Sequence, residues 1–310
     1  MGFAMIWIVV YHLPLVFYIP VISEIKWSGY TGVDIFFLLS GLGVYFSWTK
    51  TPSTVQFYKK RVARIFTLYI PIQLLIGVIL IYYLHFSPLL IMQTLIFYDF
   101  WLSVSGITPW FIPAICLMYF ISPIYLKVTL PKNILQNTII ACIVSLILLA
   151  LFPRFFGEMA TRMPNYFIGI YMGYLIKNKV RLPLKSKVLL FLLLMIGISL
   201  ICLYYTNLSF RELLPGHFIR FAVIVTTLPF CLLISSLINL IPSYKYPLLS
   251  FFGKYSLPIY LLHIPLFWIL DASLHYMIPK TLIGIMSIIV SMVVSFCLQN
   301  VIYKYFKISN

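Results

Sequence analysis

Ten apolar stretches follow one another along this chain with only short polar breaks between them, leaving almost no sequence for anything else. A helix needs roughly 20 apolar residues to cross the hydrocarbon core of a bilayer. The stretches lie at about 3–20, 30–48, 65–84, 109–126, 136–152, 164–176, 188–205, 218–240, 255–270 and 281–303. The sixth is the shortest. The 310 residues are 63% hydrophobic and 9% charged, whereas soluble domains run near half apolar and a quarter charged. The expected fold is therefore all-α, a polytopic membrane bundle of about ten transmembrane helices. It forms a single domain over 1–310 with no appended soluble domain. Residues 86–105 mix apolar residues with Gln93 and Asp99, and predict an interfacial or re-entrant segment in place of an eleventh span. The first run carries neither a basic leader nor a small-residue cleavage site, so it reads as a retained span.

A net charge of +16 on a soluble chain would point to nucleic acid. Here the basic residues follow topology. With the N-terminus placed in the cytoplasm, most of the 22 lysines and arginines fall in inner loops, among them Lys50, Lys59, Lys60, Arg61, Arg64, Lys177, Lys179 and Arg181. All six acidic residues fall on the outer side or the outer half of a span. This positive-inside pattern favours an even number of spans with both termini cytoplasmic. It leaves the bilayer as the partner of the charge, with no nucleic acid expected. The five cysteines lie in apolar segments without CxxC or Cys/His metal spacing, so no metal is expected.

Ionisable groups inside a membrane are costly and mark functional sites by default. His12 lies inside the apolar run Phe3–Ile19. A buried imidazole favours its neutral form and can accept a proton from a hydroxyl, or it can serve as a structural hydrogen-bonding group. Asp34 opens the second span in Gly32-Val-Asp-Ile-Phe-Phe-Leu-Leu-Ser-Gly41. Spans 1 and 2 are expected to be antiparallel neighbours, so Asp34 is a candidate to orient His12. The competing reading is a carboxylate at a helix start. Ser40 lines the same cavity or serves as a small packing residue. Arg61 and Arg64, in Tyr58-Lys-Lys-Arg-Val-Ala-Arg64, fall on one face of a helix. Two guanidinium forks there suit phosphates, and a positive-inside anchor is the alternative.

Further polar positions are Arg162, before Pro164; Trp110, at the outer end of the fourth span, where an aromatic belt also explains it; and Tyr260 with His263 in Tyr-Leu-Leu-His. The last two are three residues apart, as cavity lining or as a helix–helix hydrogen bond. No P-loop or dinucleotide fingerprint is present.

In this order and spacing the pieces are specific. The histidine of the first run, Gly32-Val-Asp-Ile-Phe-Phe-Leu-Leu-Ser-Gly41, Arg61-x-x-Arg64-Ile65 and Tyr260-Leu-Leu-His263 resemble the acyltransferase family 3 proteins. These are integral-membrane acyltransferases that O-acetylate bacterial polysaccharides and other cell-envelope glycans. The resemblance covers essentially the whole chain. It implies a multi-pass protein of the cell inner membrane, taking acetyl from cytoplasmic acetyl-CoA and passing it to a hydroxyl of a glycan or lipid-linked sugar. It implies His12 as catalytic base or acetyl carrier, Asp34 as the acidic position of the second span, and Arg61 and Arg64 as the pair that meets the CoA phosphates.

The chain departs from the family pattern in places. Met1 stands where an arginine usually precedes Gly-x-Ala, so either the start lies upstream or that arginine is missing. Thr67 replaces a frequent proline, and Leu257 follows Ser256 where a tyrosine is usual. The rival class is a transporter or flippase of a lipid-linked glycan or small anion. It would share the spans and the buried polar groups, but commonly shows internal repeats with interrupted helices. None is evident.

Overall fold

The computed structural model describes residues 1–15, 19–102, 108–129, 133–213, 218–242 and 246–306. Among them the regular elements are all helical. The first half of the chain forms α1 (Gly2–His12), α2 (Pro20–Trp27), α3 (Gly32–Lys50), α4 (Thr54–Leu84), α5 (Pro88–Leu95), α6 (Tyr98–Trp101), α7 (Phe111–Thr129) and α8 (Ile134–Leu151). The second half forms α9 (Pro153–Ala160), α10 (Met163–Lys177), α11 (Leu184–Thr206), α12 (Leu208–Leu213), α13 (Phe218–Asn239), α14 (Pro247–Lys254), α15 (Ser256–Leu274) and α16 (Lys280–Phe306). Eight helices are long and apolar enough to cross a membrane by length and composition. The chain is thus a polytopic helical bundle, as expected, and each of the ten expected spans has a helix.

The first and sixth spans are shorter than the rest. The first apolar run continues to Ile19, but α1 stops at His12, and residues 16–18 lie outside the described part. The cause is Pro14. A residue before proline is driven from the helical region into extended backbone, and Leu13 sits at φ −65°, ψ 135°. The sixth span, α10, has 15 residues and is largely buried.

Residues 86–102 form the short helices α5 and α6, hinged at Phe97 with φ 62°. Neither is long enough to span; residues 103–107 lie outside the described part. Asp99 is buried and accepts the backbone N–H of Thr108 at 3.0 Å, and also bonds the Thr108 hydroxyl. Its role is to tie this segment together. The basic run Tyr58–Arg64 lies on a helix, not in the expected loop, because α4 begins at Thr54. Its 31 residues extend about 46 Å, well beyond a core of roughly 30 Å, which leaves its first turns room outside the hydrocarbon. Lys59 and Lys60 are exposed there.

The helices fall into two compact units, each assembled from separate stretches of chain. One holds Met1–Val16, Tyr58–Pro113 and Pro247–Asn310, and the other holds Phe17–Phe57 and Ala114–Tyr246. In the first, α15 packs along α16, and α1 packs on α14 and α15. In the second, α3 packs along α10, with α13 against both and α8 against α10. The α3–α10 contact is a reciprocal glycine clasp. A Cβ on Gly41 would lie 2.0 Å from the Tyr166 carbonyl oxygen, and one on Gly169 would lie 2.0 Å from that of Leu38. Only glycine allows the two backbones this close. The clasp places Asn165, one turn before Gly169, beside Asp34, one turn before Leu38.

Candidate active site

His12 is the last residue of α1, and His263 is a fully helical position of α15. The buried histidine is His263, at 3% exposure; His12, expected to be buried, is exposed. The two rings meet edge to face, with centroids 5.0 Å apart. Nε2 of His263 lies 3.3 Å from Nδ1 of His12.

The surrounding carbonyls decide which nitrogens carry protons. Nδ1 of His263 lies 3.0 Å from both the Ile259 and Tyr260 carbonyl oxygens. Carbonyls only accept, so this Nδ1 is protonated. In the neutral ring the other nitrogen, Nε2, is then an acceptor. Nδ1 of His12 faces that acceptor and also the Ile8 carbonyl oxygen at 2.9 Å. It therefore carries a proton too, shared between them, which makes Nε2 the basic atom of His12. An imidazolium formed at His12 would be stabilised twice over. Its Nδ1–H already points at two acceptors, and the C-terminal end of α1 carries the negative pole of the helix dipole, which favours a cation.

His12 and His263 line a cavity of about 190 Å³ with Val9, Leu13, Ile264, Phe267, Trp268, Gly284, Ser287 and Ile288. The chain beyond His12 is held against this cavity. The Thr281 hydroxyl donates to the Pro14 carbonyl at 3.2 Å, and Gly284 abuts the Pro14 ring.

Arg61 and Arg64 both lie on α4, in the same unit as the histidines, but they are not equivalent. Arg61 is buried, at 8% exposure. Arg64 is exposed and close enough to Tyr303 of α16 to interact electrostatically.

Asp34 belongs to the other unit and is fully buried. Its Oδ1 accepts from Arg220 Nη2 at 2.7 Å and from Asn165 Nδ2 at 3.1 Å, and Arg162 Nε lies 3.8 Å from its Oδ2. Asn165 also donates to the Thr227 hydroxyl at 3.3 Å. Arg162 pairs in addition with Glu158, and Arg220 lies over the Tyr30 ring at 5.3 Å. A carboxylate buried between two arginines is compensated charge that joins α3, α10 and α13. Within its own unit Asp34 is held by Arg162, Asn165 and Arg220, and within the other His12 Nδ1 meets His263 and the Ile8 carbonyl.

Sequence reasoning assigned no role to Arg220 or Asn165. The available signal for Arg220 was a single cation in the first turn of a long apolar span, which is costly unless paired. Ser40 is buried on α3, in the unit of Asp34. Trp110 stands in the turn before α7. Tyr260 is buried, edge-on to Phe111 with centroids 5.5 Å apart, and its carbonyl anchors His263. Among the described residues, no group of three or more His, Cys, Asp or Glu side chains is placed to hold a metal ion.

A polytopic helical bundle with a histidine pair beside a largely apolar cavity, and an arginine pair on a helix of the same unit, is the framework of a membrane-embedded enzyme. The chain matches the acyltransferase domain of acyltransferase family 3 over residues 2–300, and it belongs to that family. It is a membrane acyltransferase. No curated protein and no solved structure matches it.

Proposed function

We propose that this acyltransferase moves an acetyl group from cytoplasmic acetyl-CoA to a hydroxyl of a cell-envelope glycan or lipid-linked sugar, with His12 as general base. The observation that carries this reading is the proton placement at the histidine pair. Nδ1 of His12 bonds Ile8 and His263, which makes Nε2 the proton-accepting atom of a ring that lines the cavity. The acceptor oxygen attacks the thioester carbonyl carbon while its proton passes to Nε2. The tetrahedral intermediate then collapses, the C–S bond breaks, and the CoA thiolate leaves, taking the proton back from the imidazolium. His263 and the end of α1 stabilise that imidazolium. This is the task that an aspartate performs in hydrolase triads. Arg61 and Arg64 hold CoA phosphates. Asp34 acts within its own unit, as the counter-ion of Arg162 and Arg220.

The test is transfer of labelled acetyl from acetyl-CoA by the full chain in native-like membranes, with binding of acetyl-CoA measured in parallel. His12→Ala should lower transfer by two to four orders of magnitude without loss of binding. Arg61→Ala/Arg64→Ala should lose binding. Normal transfer by His12→Ala would remove His12 from the chemistry. Movement of a labelled glycan across the membrane with no acyl donor present would favour a flippase instead.

A further inference from the structure

The cavity beside His12 is larger than an acetyl group and has the wrong lining for a sugar. At about 190 Å³ it exceeds the roughly 150 Å³ of an apolar protein cavity known to hold benzene, a six-carbon ring. Acetyl has three non-hydrogen atoms. The walls are aliphatic and aromatic: Val9, Leu13, Ile264, Phe267, Trp268 and Ile288. The polar lining groups already have partners. His263 holds two carbonyls and His12, and the Ser287 hydroxyl donates to the Gly284 carbonyl at 2.7 Å. A sugar ring would bring in hydroxyls with few groups left to meet them, which is costly. Among the described residues no lysine, arginine, aspartate or glutamate lines the cavity, so a carboxylate such as that of a succinyl group would lack a counter-charge.

We propose that this cavity is an acyl pocket. It receives the hydrocarbon part of an uncharged straight-chain acyl group of about four to six carbons, with the reacting carbonyl at His12, and Ile288 helps limit chain length. This rests on the reading of His12 as the catalytic base and extends the donor range beyond acetyl.

The probes are S-acyl-N-acetylcysteamine thioesters carrying two, four, six, eight and ten acyl carbons, and the succinyl analogue. They carry no nucleotide, so the result is independent of the arginine pair. Binding to the full-length protein in nanodiscs is read as a tryptophan fluorescence change, assigned to the cavity by its loss in Trp268→Phe. Affinity should rise roughly fourfold per added methylene up to six carbons and then level off. The succinyl probe should bind no better than acetyl. Ile288→Phe should abolish the gain at four and six carbons while sparing acetyl, and Ile288→Ala should move the plateau to longer chains. Partition of the probes into lipid is the same for all variants, so their differences report the cavity.

An affinity that climbs steadily through ten carbons, equally in all three proteins, would mean an open groove occupied by lipid and would overturn the proposal. So would a flat response to chain length. Chain-length selection in binding without transfer to any hydroxyl would uphold the pocket and defeat the acyltransfer chemistry assigned to His12. Transfer of acetyl with no chain-length response would do the reverse.

Discussion

Nδ1 of His12 and Nε2 of His263 face each other at 3.3 Å although 251 residues separate them in sequence, and the two carbonyls behind His263 make it the acceptor of that pair. His263 thereby sets which nitrogen of His12 is basic. Replacing it with alanine should cut kcat roughly 10–100-fold, below the roughly 10²–10⁴-fold that the general base itself supplies, because His263 acts through His12, with little change in KM. His263→Gln should recover much of the loss, since its amide oxygen can accept the His12 Nδ1–H while its NH₂ group donates to the backbone carbonyls. Steady-state kinetics of the three proteins decide this. Equal losses in the alanine and glutamine variants, or an effect confined to KM, would reduce His263 to a packing residue.

The Asp34 cluster predicts an order of stabilities. Asp34→Ala leaves two buried guanidinium groups without their shared carboxylate and should destabilise the protein by about 3–5 kcal/mol. Arg220→Met removes one cation and leaves Asp34 paired with Arg162, so its cost should be less than about half of that. Thermal unfolding in detergent measures both. The isosteric Asp34→Asn also separates structure from chemistry. If the carboxylate serves the arginines, correctly folded Asp34→Asn protein retains its turnover per molecule. A loss of several orders of magnitude in kcat in folded protein would restore Asp34 to the chemistry at His12.

Much of this was legible in the residues alone, because apolar runs of span length are nearly unambiguous. The helices α3, α4, α7, α8, α11, α13, α15 and α16 follow from run length. The short α1 does not. Its stop is local stereochemistry at Leu13-Pro14, which a count of apolar residues passes over, and so His12 was expected inside a span when it ends a helix. His12 and His263 were each visible as costly residues in apolar sequence, but their pairing depends on helix packing across most of the chain. The Asp34 cluster was less legible: Asn165 and Arg220 lie 131 and 186 residues away in sequence, and the close approach at Gly41 and Gly169 that brings Asn165 to Asp34 leaves no periodic signal in the residues.

That glycine clasp makes a contrasting pair of predictions on α3. Gly41→Ala would place a methyl 2.0 Å from the Tyr166 carbonyl oxygen. The helices must separate, at a cost of about 1–3 kcal/mol from overpacking. Gly43, two residues on in the same helix, has no atom within 4 Å of where its Cβ would be. Gly43→Ala should be neutral or stabilising by about 0.5–1 kcal/mol, because alanine loses less conformational entropy in a helix. Comparing the unfolding temperatures of the two single variants tests the clasp, and equal effects would contradict it.

The arginines of α4 should separate in the same way, by burial. Arg64 is exposed and Arg61 is buried, so they cannot contribute alike. Removing a guanidinium that meets a phosphate forfeits a charge-assisted hydrogen bond of about 1.5–3 kcal/mol, or roughly a 10–100-fold loss of affinity. Arg64→Ala should therefore raise the acetyl-CoA Kd by that factor, with thermal stability unchanged, and its exposure should make the wild-type contact weaken with added salt. Arg61→Ala should lower both affinity and stability, because a buried side chain also contributes its packed stem. Titrating acetyl-CoA at low and high salt, alongside unfolding of each variant, separates the two roles. An Arg64→Ala protein that binds acetyl-CoA normally at low salt would show that Arg64 is a lipid-facing anchor and leave Arg61 as the phosphate contact.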